Sequence, residues 1–254
     1  MSQVLKDKVA IVTGGGRGLG RAFALKFADE GAKLLIPDIS LERAEATAKE
    51  IRDSGGEAVA LEADISDEND TGRMAEKVME VYGQADILLN NAAIFYGLMP
   101  QPWDSLTVDE WDRVFAVNVK GTWLCCKAIA PIMRKQGEGK IINISSASIN
   151  MPFGYDKLHY VSSKAAVITI TQQLARALGP HGININAIAP GYTRTEATLQ
   201  RDYENFAEKV VEEQCIKRRE EPEDLVAIAV FLASKESDFI TGQLLVADGG
   251  IWLR

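Results

Sequence analysis

Val9-Ala10-Ile11-Val12-Thr13-Gly14-Gly15-Gly16-Arg17-Gly18-Leu19-Gly20 is the stretch that decides how the chain is read. It opens with an apolar run that shows no polar alternation, as in a strand buried on both faces. The glycines Gly14, Gly18 and Gly20 then mark a turn. A helix from about Leu19 to Glu30 follows, stopped by Gly31. In that order the backbone can approach a pyrophosphate closely, and the helix N-terminus favours its negative charge. The spacing is Gly-x-x-x-Gly-x-Gly rather than the usual dinucleotide Gly-x-Gly-x-x-Gly, but the flanking elements are the right ones.

The same alternation continues outward. Lys33 to Ile36 reads as a second strand ending at Pro37-Asp38, and Ser40 as the N-cap of a helix that stops before Gly55-Gly56. Ala58 to Ala63 and Ile87 to Leu89 are the next strands, separated by a helix from Glu68 to Tyr82. Thr107-Val108-Asp109-Glu110 is a capping box opening a helix that reaches about Arg134. Lys140 to Ile144, Ile185 to Ile188 and Gln243 to Val246 complete the strands. Helices lie between them over Tyr160 to Leu178 and Pro222 to Ala233. Alternation with short connections predicts an α/β fold, a doubly wound seven-stranded parallel sheet forming a single domain over residues 1–254.

Composition narrows the function. A net charge of −8 lacks the basic footprint that nucleic acid requires. No apolar run approaches the roughly 20 residues of a membrane span. Met1 to Lys8 has no apolar signal core, so a cytoplasmic location is expected. Cys125, Cys126 and Cys215 form no disulfide framework or metal spacing. With only His159 and His181 present, neither a histidine metal site nor a Ser-His-acid triad is expected.

Two further features suggest chemistry. Asp38 ends the second strand about twenty residues beyond the glycines, where a carboxylate bonds a ribose 2′-hydroxyl and repels a 2′-phosphate. Arg17 would attract such a phosphate, but the carboxylate at the ribose dominates, favouring NAD over NADP. Tyr160 and Lys164 stand one helical turn apart on a shared face. A phenol beside an ammonium is a candidate acid/base pair, provided that cation and the positive nicotinamide of an oxidised cofactor hold its pKa below the ordinary ~10.

With these residues together the chain resembles the short-chain dehydrogenase/reductase family along essentially its whole length. The matching pieces are Thr13 to Gly20, Asp64, Asn90-Asn91-Ala92, Asn118, Ser146, Tyr160-x-x-x-Lys164, Pro190-Gly191 and Asp248-Gly249-Gly250. The resemblance implies a Rossmann-like fold, a nicotinamide cofactor, a homotetramer and a catalytic set of Asn118, Ser146, Tyr160 and Lys164. It places Gly14, Arg17, Gly18, Leu19, Gly20 and Asp38 on the cofactor, with Asp64 and Ile65 at the adenine. Asn91 would lie at the adenosine ribose, Lys164 beside the nicotinamide ribose, and Pro190, Gly191, Thr193 and Thr195 at the carboxamide, with Ala92 and Tyr160 also at the cofactor. Ser146 would donate to the substrate oxygen, with Ser145 as its competitor, and Asn118 would hold a water linking Lys164 to bulk.

There are two departures from the family pattern. Ala93 replaces a glycine, and Ser146 lies fourteen residues before Tyr160, one more than is common. The substrate walls are expected at Phe95, Tyr96, Ser146, Met151, Phe153, Tyr155 and Tyr192, with residues 192–216 as a lid. His159 is either a ligand for a polar substituent or a surface histidine. The expected activity is NAD-dependent interconversion of a secondary alcohol and ketone, the substrate being apolar, cyclic or aromatic. The alternatives are a 3-oxoacyl-thioester reductase and a non-catalytic NAD-responsive regulator.

Overall fold

The computed structural model describes residues 3–151, 156–199 and 204–253. One parallel sheet of seven strands organises them: β1 (Val9–Val12), β2 (Lys33–Asp38), β3 (Ala58–Glu62), β4 (Ile87–Asn90), β5 (Gly139–Ile144), β6 (Ile183–Pro190) and β7 (Leu244–Ala247). Their spatial order is β3-β2-β1-β4-β5-β6-β7. The chain thus winds outward from β1, returns to the centre at β4 and winds outward the other way. Ligands of such sheets bind outside the carboxyl ends of the strands at this point of reversal. There Val12 pairs with Leu89, which sets Thr13 beside Asn90-Asn91.

Both faces of the sheet are covered, which explains the unbroken apolar strands. On one face Ala10, Val12, Leu34 and Ile36 pack under Phe23 and Phe27 of α1 (Gly18–Asp29) and Ile51 of α2 (Leu41–Asp53). On the other, Ile11, Leu35 and Leu88 meet Met74 and Val78 of α3 (Glu68–Tyr82). Cys125 and Cys126 lie in this second layer as buried core residues. Among the described residues no helix is long and apolar enough to cross a membrane.

The helix expected from Thr107 to Arg134 is built in three pieces. Its capping box is present, with Thr107 Oγ1 accepting the Glu110 N–H and Glu110 Oε2 accepting the Thr107 N–H, both at 3.2 Å. After α4 (Val108–Phe115), a π-helical segment runs from Ala116 to Gly121 before α5 (Thr122–Gln136). The wider turn is tertiary in origin, and it carries Asn118, one of the residues expected at the site. Strand β6 is longer than the expected Ile185 to Ile188, and neither Asn184 nor Asn186 interrupts it. Their side-chain amides donate to the Ile240 carbonyl at 3.1 and 2.9 Å.

Helix α6 (Leu158–Leu178) lies against the sheet through a stripe comprising Tyr160, Lys164, Val167, Thr171, Ala175 and Leu178. A buried polar chain fixes its rotation: Asn90 Nδ2 donates to Asn143 Oδ1 at 2.8 Å, and Asn143 Nδ2 to Thr171 Oγ1 at 2.9 Å. The stripe turns from apolar to polar as it passes the carboxyl edge of the sheet, so Tyr160 and Lys164 face the crevice. Three further helices follow, α7 (Glu196–Leu199), α8 (Glu204–Glu213) and α9 (Glu223–Ala233).

Candidate active site

A cleft of about 420 Å³ runs along the carboxyl ends of the strands, from Asp38 through the glycine turn to Tyr160 and the segment after β6. Gly14 and Gly18 adopt the left-handed backbone region, with φ of 63° and 53°. A Cβ on Gly20 would stand 2.1 Å from the Gly14 carbonyl oxygen, so helix and turn touch backbone to backbone. The turn is pinned to β4. Thr13 Oγ1 accepts the N–H groups of Asn91 and Ala92, each at 3.1 Å, and Asn91 Nδ2 donates to the Thr13 and Gly14 carbonyls at 3.0 and 3.2 Å. Helix α1 has no side-chain cap on its N-terminus and no acidic residue in its first turn. Its amides therefore suit a pyrophosphate.

At one end, the buried Asp38 carboxylate accepts the Gly16 N–H at 3.1 Å and the Ser40 N–H at 3.0 Å. Arg43 Nη2 also donates to it at 3.0 Å. Arg43 follows the N-cap Ser40 by three residues, which turns it back toward the strand end. Arg17 is elsewhere, its guanidinium 4.5 Å from the centre of the Tyr96 ring. Asp64 and Ile65 line the cleft opposite Asp38.

At the other end, Tyr160 and Lys164 are both buried. The Tyr160 phenol hydrogen-bonds the Ser146 hydroxyl, yet burial pushes it up to about 12. Burial likewise pulls Lys164 down to about 8. Its Nζ donates to the Ile144 carbonyl at 2.8 Å and stands 5.9 Å from the centre of the Tyr160 ring. The expected depression of the phenol is therefore not produced by the protein groups alone, because desolvation of both partners outweighs their attraction. Between the two serines the geometry favours Ser146. Ser145 Oγ is committed to the Lys164 carbonyl at 2.8 Å, whereas Ser146 meets Tyr160 and accepts the Ser148 N–H at 3.2 Å.

Asn118 is held by three side-chain bonds. Its Oδ1 accepts the Ile94 N–H at 2.8 Å, and its Nδ2 donates to Ser163 Oγ at 3.0 Å and to the Ile94 carbonyl at 3.3 Å. Both amide protons are used, so the side chain braces the strand-end loop against α6. Every residue expected at the cofactor lines the cleft. Of the substrate walls, Phe95, Tyr96, Ser146 and Tyr192 do so, and the Phe95 ring lies 5.1 Å from that of Tyr160. Met151 is not brought to the cleft, and Phe153 and Tyr155 lie outside the described residues. His159 is neither a surface residue nor a wall of the cleft. It is buried toward α4, and burial lowers its pKa, keeping the ring neutral.

A family model described as enoyl-(acyl carrier protein) reductase matches residues 14–252. Sorbitol dehydrogenase of Cereibacter sphaeroides is 39% identical, over 98% of this chain and 99% of its own length. Galactitol 2-dehydrogenase of Agrobacterium fabrum is 40% identical, with the same coverage of both chains. The structure of a 7α-hydroxysteroid dehydrogenase complexed with NADH and 7-oxoglycochenodeoxycholic acid superposes with a TM-score of 0.91. It is 32% identical and covers 98% of this chain and 96% of that one. The chain belongs to the short-chain dehydrogenase/reductase family.

As a short-chain dehydrogenase/reductase it is a nicotinamide-dependent oxidoreductase acting on alcohols and ketones. Ala93, standing in for the family's glycine, is accommodated because its φ is not in the left-handed region; Asp7 is the one non-glycine residue with positive φ among the described residues. Two residues are not among those expected: Arg43, which lines the cleft, and Glu220, which stands behind it. Arg43 was readable in principle from its helical position. Glu220 was not, because only tertiary folding brings it to the segment after β6. Its Oε2 accepts the Gly191 N–H at 2.9 Å and its Oε1 the Thr193 hydroxyl at 2.7 Å.

Burial and the nearby acids Asp224 and Asp248 raise the Glu220 carboxyl from 4.5 to about 7. The folded state therefore binds this proton more tightly than the unfolded chain does. The resulting stabilisation is full below about pH 4.5 and is lost as pH rises through about 7, a span of about 3 kcal/mol. Glu220→Gln removes the titration, so the variant should gain on wild type by up to that amount between pH 5 and 8 in denaturant unfolding. A constant gap across that range would refute the assignment.

Proposed function

We propose that this chain is an NAD-dependent dehydrogenase/reductase interconverting a secondary alcohol and its ketone, with Tyr160 as the proton donor and acceptor. The observation that carries this reading is the buried Tyr160 phenol, hydrogen-bonded to Ser146 and one turn from Lys164. It lies at the far end of a cleft that begins at an uncapped helix N-terminus. Nicotinamide, when bound, supplies or accepts the hydride. Gly14 to Gly20 and Asp38 would hold the adenosine diphosphate half, Lys164 the ribose next to the reacting ring, and Pro190 to Thr195 the carboxamide. Ser146 donates to the substrate oxygen, and Tyr160 delivers or removes the proton there. Phe95, Tyr96 and Tyr192 offer flat apolar faces, which suit a carbocycle, an arene or the C–H face of a polyol. The polyol names of the two curated relatives support the last.

At neutral pH the phenol carries its proton, the state that ketone reduction needs. Reduction should therefore hold level from about pH 6 to 8, while alcohol oxidation, which needs the phenolate, rises by up to about tenfold per unit. Tyr160→Phe should lower turnover by about 10³-fold in both directions and leave NADH affinity within about twofold. Undiminished turnover in that variant would sink the assignment.

The NAD preference rests on the buried Asp38 carboxylate at the adenosine end. Removing it frees Arg43 for a 2′-phosphate. Asp38→Ser should raise kcat/KM for NADP relative to NAD by about tenfold or more, and adding Arg43→Ala should reverse the gain. An unchanged cofactor ratio in the single variant would show that specificity lies elsewhere.

The protein is further proposed to work in the cytoplasm as a homotetramer. Exposed Trp123, with Phe115, Val119 and Ile170, forms an apolar groove along the α4–α5 rod and α6 that a second copy would cover. Light scattering should give four times the 27.7 kDa chain mass; a monomer would overturn this.

A further inference from the structure

We infer that Glu220 is a positioning residue for the nicotinamide-facing segment, holding Gly191 and Thr193 in the shape that receives the cofactor's nicotinamide end. This rests on the reading of the site proposed above. Glu220 does not itself line the cleft, whereas Gly191 and Thr193 do. Three bonds join it to the segment. Oε2 takes the Gly191 N–H at 2.9 Å, Oε1 takes the Thr193 hydroxyl at 2.7 Å, and the Glu220 backbone carbonyl takes the Arg194 N–H at 2.8 Å. The Gly191 N–H is shared with the Ala247 carbonyl, also at 2.9 Å, so the loop is tied to the end of β7 as well. There is no slack: a Cβ on Gly191 would lie 2.5 Å from Glu220 Oε2 and 2.8 Å from Asp248 Cα.

The carboxylate's own hydrogen bonds come from neutral donors, the Gly191 N–H and the Thr193 hydroxyl. Its acidic neighbours are Asp224, in the first turn of α9, and Asp248, beyond β7. Arg218, which also feels the Glu220 charge, is committed to Asp224 through two contacts of 2.6 Å. Asp248 spends its own carboxylate on the N–H groups of Gly250, Ile251 and Trp252. Glu220 is thus a buried acid beside other acids, and the polar partners that stabilise it belong to the cofactor-facing loop. A buried acceptor held by two donors from one loop rigidifies that loop. Burial pushes its carboxyl up to about 7, and a protonated Glu220 can still accept from Gly191 while donating to Thr193 Oγ1. The clamp therefore survives protonation.

The test compares NADH with ADP-ribose, which lacks the nicotinamide, in calorimetric titrations of wild type, Glu220→Ala and Glu220→Gln. Glu220→Ala should weaken NADH about tenfold, leave ADP-ribose within about twofold, and lower kcat. Glu220→Gln, whose amide oxygen accepts from Gly191 while its NH₂ donates to Thr193, should restore NADH to within about threefold of wild type. Equal weakening of both ligands, or a loss of thermal stability with NADH affinity intact, would reduce Glu220 to a structural residue and overturn the inference. If Glu220→Ala does not fold, Glu220→Asp, too short to reach both donors, should show the same selective loss, and its absence overturns the inference equally. Wild type that binds neither NADH nor NADPH would instead defeat the proposed function itself.

Discussion

The first turn of α1 and the turn that feeds it meet with no side chain between them. With the Gly14 oxygen 2.1 Å from where a Gly20 Cβ would stand, only glycine allows the helix to start there. That start directs uncapped amides along the axis into the crevice. Thr13 and Asn91 then bind this turn to the end of β4, so the anion-binding backbone is rigidly referred to the centre of the sheet. Everything else in the site is placed relative to it: Asp38 one strand out on one side, Tyr160 and Lys164 across β5 on the other.

The Tyr160–Lys164 end of the cleft is held in tension with its own electrostatics. Burial makes the phenol a weaker acid and the ammonium a stronger one, raising Tyr160 to about 12 and lowering Lys164 to about 8. Both shifts oppose a phenolate–ammonium pair, so the protein on its own holds the proton-loaded state that ketone reduction requires. Asn118, Ser145 and Ser163 serve this end as framework. Their polar groups bond the backbone or one another, keeping the α6 stripe in register with the strand ends.

Charge is handled similarly at the far ends of the cleft. Asp38 is buried but fully accompanied by two backbone N–H groups and Arg43. Glu220 is buried among acids and bonded through the loop it braces. In each case a carboxylate that would be costly to bury alone is retained beside one end of the cleft, held by named donors.

Local chemistry wrote much of this in the sequence. Unbroken apolar runs mean strands covered on both faces, glycines after β1 mean close backbone approach, and Tyr160 and Lys164 four residues apart must share a helix face. The capping box at Thr107 and the cap at Ser40 are equally local, since each needs only residues within a turn of itself. Tertiary structure alone decided the rest. The π-helical segment around Asn118 answers to contacts with Ile94 and Ser163, each more than twenty residues away. The choice of Ser146 over Ser145 depends on which hydroxyl α6 occupies. Glu220 reaches its loop across 27 and 29 residues. Spacing reports which residues share a face or a turn. It carries no information about which distant backbone a buried polar group must find, and that pairing is settled only when the chain packs.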